Sequence, residues 1–210
     1  MINERIEVMN YLQGNNFDDR KCTWRMCVLM ATYFHEQGMS AKEIRKSIYK
    51  WGNDYRVYIT FNVNNAIESV IEEDRKLFDS PIYISEAEVE EITSRFSGRN
   101  VRKCALAILL LAKVYADEDG FFSFSQSDFA KWVGIKQPHV SENFDELVTM
   151  EYMIRERPGD NYFVWNGNSN VGKRIKYKMN FDYWHNNGTI EIKDTDDIDE
   201  IYNIVFRESD

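Results

Sequence analysis

Apolar positions recur at helical spacing through most of the chain, and polar residues between them supply starts and stops. Over residues 20–36 Trp24, Cys27, Met30 (or Ala31) and Phe34 form one stripe that Gly38 ends. Ser40-Ala-Lys-Glu43 is a capping box for a helix to about residue 51, closed by Gly52-Asn53-Asp54. Asn64 or Asn65 starts a helix over 66–77 with Ile67, Val70 and Ile71 buried. Asp79-Ser80-Pro81 marks a domain boundary. A second capping box, Ser85-Glu-Ala-Glu88, opens a short acidic helix to about residue 96, broken by Ser97-Gly98-Arg99-Asn100. Residues 101–116 are apolar on nearly every side and predict a buried central helix. A short strand follows at 121–124.

Ser125 then caps a helix with Asp128 at its third position, and Ala130 is small enough for a close helix crossing. Gly134 suits a turn with positive φ, and Pro138 fits the first turn of the next helix. On that helix Val140, Phe144 and Leu147 make a buried stripe, leaving Gln137, His139, Glu142, Asn143 and Glu146 to point away. Strands are expected at 152–157, 162–165 and 173–179, with a polar, glycine-containing loop over 166–172. The predicted fold is mainly α with a small antiparallel β-hairpin. It comprises a helical bundle over 1–80, a helix-turn-helix with a hairpin over 81–184, and an acidic tail or helix over 185–210.

Ala130, Gly134 and Val140, the helix end over 147–152, and 154–157 running into Pro158-Gly159-Asp160-Asn161 carry a resemblance. Residues 84–182, about half the chain, resemble the winged helix-turn-helix of MarR-like regulators and of DnaD-like phage and plasmid replication proteins. Asn143 departs from the pattern, standing where such helices commonly have an apolar residue. The resemblance implies binding to double-stranded DNA. Gln137, His139 and Asn143 would read base edges, while Lys136, Arg155, Arg157, Lys173, Arg174 and Lys176 would hold phosphates. The helix order in 1–80 is similar to a small helical domain that follows primase modules in mobile-element replication proteins.

Charge complicates that expectation. The chain has a formal net charge of −9. Residues 186–210 supply −6 of it, with two basic and eight acidic residues, while 100–185 are neutral with eleven of each. Glu142, Asp145 and Glu146 lie on the helix that would enter the groove, where they repel phosphates. A protein-interaction module, such as a phage-encoded inhibitor of a host defence complex, therefore stands as the alternative. In the acidic tail Ile198, Ile201, Ile204 and Val205 fall at helical spacing. They pack on the chain's own core or dock on a second protein.

Other chemistry is sparse. Hydrophobic residues make up 43% of the chain, with no run long enough for a membrane span. The amino-terminal residues lack a basic start and apolar core, and the cysteines are odd in number, so a cytoplasmic protein is expected. Cys22, Cys27 and Cys104 read as core thiols. His35, His139 and His185 lack metal-ligand spacing. The stretch from Gly167 to Arg174 approaches a phosphate loop but has the wrong spacing, and Arg174 stands where the hydroxyl residue belongs. Neither a catalytic site nor a cofactor is expected.

Overall fold

The computed structural model describes residues 1–15, 20–156, 165–166, 169–170, 175–181 and 188–206, with backbone alone at 165–166 and 169–170. It is mainly helical with small antiparallel sheets. The chain divides into two compact units, Asn3–Ser80 and Pro81–Asp210 with Met1–Ile2.

The first unit holds α1 (Glu4–Leu12), α2 (Trp24–Glu36), α3 (Ala41–Asp54) and α4 (Val63–Glu72). Asn3 caps α1 by accepting from the Ile6 amide, a helix whose weak amphipathicity hides it in the sequence. Thr23 caps α2, which begins later than the expected residue 20, so Trp24 sits at the helix start. There it is exposed and meets the Phe61 ring edge-on at 5.7 Å. Met26, Cys27, Leu29, Met30 and Ala31 face Ile44, Ile48, Val63, Ala66, Ile67 and Val70 in the core. Ser40 and Glu43 form the expected capping box. Helix α3 runs through Gly52 to Asp54 instead of ending there; the glycine leaves room for Ile59 and the Val57 carbonyl, which a Cβ would meet at 3.2 Å. Helix α4 starts and ends earlier than its apolar pattern suggests, capped by Asn62, and leaves Ile71 exposed. The Glu4 carboxylate, fully buried, takes a hydrogen bond from Arg75 at 2.8 Å and one from the Phe78 amide at 3.2 Å.

In the second unit α6 (Arg99–Tyr115) is the core helix, buried continuously from Lys103 to Ala112. Gly98 is its N-cap, so the expected breaker is where the helix begins. Around it lie α5 (Glu86–Arg95), α7 (Gln126–Val133), α8 (Gln137–Thr149) and α9 (Ile198–Phe206). Strands β2 (Phe121–Phe122), β3 (Met153–Glu156) and β6 (Lys176–Met179) pair antiparallel in the order β2-β6-β3. Between β3 and β6, β4 (Trp165–Asn166) pairs with β5 (Ser169–Asn170). A further pair, β1 (Ile82–Ile84) with β7 (Ile190–Ile192), was not expected. Gly188 passes so close to Ile84 that a Cβ would collide with the strand backbone.

Within the acidic segment, the described residues 188–206 are no free tail. Ile198, Ile201, Tyr202 and Val205 are buried, so α9 belongs to the core of this unit and its apolar face is unavailable to a partner. Ile204 is exposed, and Tyr202 takes the place expected for it. Acids of the segment are held locally: Asp196 by the amino terminus, Asp199 by Lys103 at 2.6 Å and Glu200 by Thr195. Trp132 Nε1 donates to the Asp196 carbonyl at 2.7 Å.

Candidate nucleic-acid interface

Helices α7 and α8 are joined by Gly134 at φ +66°, with the Gly134 and Ile135 amides both donating to the Ala130 carbonyl. Nothing lies near its missing Cβ, so the left-handed backbone is what selects glycine. Val140, Phe144 and Leu147 are fully buried. Phe144 stands edge-on to Phe129 at 5.0 Å and to Tyr177 of β6 at 5.7 Å, and Phe124 stacks on Tyr177 at 4.5 Å. Gln126 Nε2 donates to the Tyr177 hydroxyl at 2.9 Å. This aromatic cluster fixes α8 against the sheet, each ring pair adding about 0.5–1.5 kcal/mol beyond burial.

The outer face of α8 therefore has a defined composition. Lys136 is its N-cap residue, and Lys136, Gln137 and His139 are all exposed. His139 Nδ1 lies 2.9 Å from Glu142. Asn143 does not point outward: it is half-buried, and its Nδ2 donates to Cys104 Sγ of α6 at 3.5 Å. It fills part of the space an apolar residue would take and is turned towards α6. Arg155 is paired with Asp145 of α8 at 2.5 Å. Exposed Glu142, Asp145 and Glu146 give the helix three carboxylates and no Lys or Arg.

Strand β6 differs. Tyr177 and Met179 face the core, while Lys176 and Lys178 point outward over the Phe121 ring at 5.4 and 5.2 Å. Glu156 stands opposite Lys176 in the ladder. Lys178 was signalled only by its two-residue spacing from Lys176. Arg157, Lys173 and Arg174 lie outside the described residues, as do all of 157–164 and residues 167–168 and 171–172 of the 166–172 loop.

The remaining titratable chemistry is structural. Burial pushes the Cys22 and Cys27 thiols up to about 12 and the Cys104 thiol to about 11, so neutral pH leaves them as unreactive thiols. Lys113 Nζ reaches Glu88 at 2.6 Å, both side chains buried. Desolvation lowers the Lys113 pKa against the opposing pull of Glu88. Among the described residues no group of three or more His, Cys, Asp or Glu is placed to hold a metal, and no helix is long and apolar enough to cross a membrane. Comparison with protein-family models, with curated proteins and with solved structures gave no match in any of the three.

Proposed function

We propose that the 81–206 unit is a winged helix-turn-helix, and that the protein is a non-catalytic replication or regulatory factor that grips duplex DNA mainly by its wing. The order α6, β2, α7, α8, β3, β6 and the glycine turn support the fold. Segregation of charge carries the functional reading. Residues 155–178 hold six Lys/Arg against two Asp/Glu, net +4, while α8 is net −3. Phosphates are therefore drawn to the hairpin, and base reading by α8 is confined to its amino-terminal end, at Lys136, Gln137 and His139.

The test is fluorescence anisotropy of a labelled duplex titrated with full-length protein between about 50 and 200 mM salt. Replacing Lys173, Arg174, Lys176 and Lys178 by Gln is expected to weaken binding tenfold or more. The slope of log affinity on log salt should flatten by about 0.9 per lost phosphate contact. No binding at about 50 mM salt, or an unchanged slope, defeats the reading.

A specific observation favours a second reading as a protein-interaction module, such as an inhibitor of a host defence complex. Glu142, Asp145 and Glu146 are exposed on α8, and Met150 and Ile154, in the helix end and strand that follow, are exposed apolar residues. Changing the three acids to Lys should strengthen duplex binding in the first reading and abolish complex formation in the second.

A further inference from the structure

Helix α3 carries a second cationic surface, in the unit that the winged-helix reading does not use. Its buried side is Ile44, Ile48 and Trp51. On the opposite side Lys42, Arg45, Lys46, Tyr49 and Lys50 fall at i, i+3, i+4, i+7 and i+8, one exposed stripe about 12 Å long. Among the described residues none of the four cations is paired with a carboxylate. Several of the unit's acids are engaged elsewhere, while Asp54 at the end of α3 and Glu68 and Glu72 of α4 are exposed. Glu4 holds Arg75, Glu7 holds Arg25, Glu36 and Asp79 share Arg5, and Asp74 meets Lys76 and His35. Glu43 is turned back onto the Ser40 amide and hydroxyl at 2.8 and 2.6 Å. Like charges at this spacing repel, and an anion laid along the stripe relieves the repulsion.

Two exposed tyrosines lie in the same unit as the cations. Tyr49 stands in the stripe and is 45% exposed. Tyr58, four residues beyond the end of α3, is 71% exposed, more than any other large apolar side chain described. Its backbone pairs with Lys21, and Arg20, Lys21 and Arg56 are exposed around it in the chain.

We propose that this surface binds single-stranded nucleic acid, with the α3 cations on successive phosphates and Tyr49 stacking on a base. Exposed rings among cations decide between strands and duplex. Bases in a duplex are already stacked and present no free face to a tyrosine, whereas those of a single strand do. The inference does not depend on the winged-helix reading, since it uses other residues in another unit.

The experiment uses the full chain with labelled oligo(dT) of about 20 nucleotides and a duplex of equal length. Changing Lys42, Arg45, Lys46 and Lys50 together to Gln is expected to weaken oligo(dT) binding at least tenfold. The salt slope should flatten by up to about 3, at roughly 0.7 per phosphate. Tyr49→Ala should weaken binding about fivefold or more with the slope unchanged. Lys176→Gln with Lys178→Gln should affect the duplex and spare oligo(dT). Circular dichroism and thermal unfolding check the fold; if the fourfold variant does not fold, Lys46→Gln and Tyr49→Ala carry the test. The proposal is overturned if oligo(dT) does not bind at about 50 mM salt or if the variants bind it as the parent does. Equal losses for strand and duplex, or competition by polyglutamate as strong as by oligo(dT), also overturn it.

Discussion

In the 81–206 unit Arg155 sits on Asp145, Lys103 on Asp199 and Lys113 on Glu88, whereas in Asn3–Ser80 the four cations of α3 face outward with no carboxylate beside them. Both units are built from amphipathic helices with dense surface charge. The difference lies in what each cation meets. On α8 three exposed positions are acidic, so a basic neighbour is neutralised; on α3 Lys42, Arg45, Lys46 and Lys50 are exposed, and none of them is in an ion pair among the described residues. A helix that occupies the reading position in a motif is thus not by itself the free cationic surface. The ion pairs decide where unspent charge remains.

The largest expected effect tests the buried pair. Lys113→Ala leaves the Glu88 carboxylate buried without its partner, and breaking such a pair typically costs about 3–5 kcal/mol. Urea unfolding should show a loss of that order. Replacing both residues by apolar ones of similar size should recover most of it. Arg25, which is a third exposed in its pair with Glu7, should cost clearly less when truncated. Equal losses for Lys113 and Arg25 would erase the contrast between hidden and surface charge.

Next comes α9. Ile201→Ala removes a fully buried side chain and should cost about 2–4 kcal/mol, while Ile204→Ala, on the exposed side, should stay within about 0.5 kcal/mol. The indole of Trp132 is bonded to Asp196 just before the helix, so its fluorescence reports on detachment of this segment. If Ile201→Ala is neutral, the segment is the free acidic tail that its charge suggests.

These two cases show what a single chain makes legible. Capping boxes at Ser40 and Ser85, the glycine turn at Gly134 and the stripe Val140, Phe144 and Leu147 were readable because each is local. The strand pair β1–β7 was not, since three-residue strands more than a hundred positions apart leave no periodic signal. Asn143 was misplaced because a polar residue among apolar ones reads as outward, and only the position of Cys104 shows where its amide goes. The α3 stripe was present in the sequence as a regular period, but the apolar period drew the reading.

Acid should separate the units as well. Burial alone would raise the Glu7 pKa, but hydrogen bonds and charge from Arg25 hold it down to about 2. A carboxyl depressed in the folded state stabilises above its ordinary value of 4.5, and that stability is lost as pH falls from 4.5 towards about 2. Its loss should make hydrogen exchange in α1 and α2 rise over this range. In Glu7→Gln the same rise should be flattened. A pH profile identical in the variant would remove Glu7 from the acid response.

The smallest effect bears most directly on the comparison. Asp145 is two-thirds exposed and Arg155 mostly covered, so their pair contributes little stability, within about 1 kcal/mol. Its consequence lies in binding: while Asp145 holds the guanidinium, Arg155 is not available to a phosphate. Asp145→Asn keeps the shape of the side chain and removes its charge. The 81–206 unit then gains one free cation and loses one repelling carboxylate. Duplex affinity should rise severalfold at about 50 mM salt, with a salt slope steeper by about 0.9, and the gain should shrink towards about 200 mM. Affinity for oligo(dT) should not move, because that surface lies on α3. An Asp145→Asn protein with unchanged duplex affinity and slope would mean that pairing does not silence Arg155. The contrast between a neutralised α8 face and a free α3 face would then not support the nucleic-acid surfaces proposed for this chain.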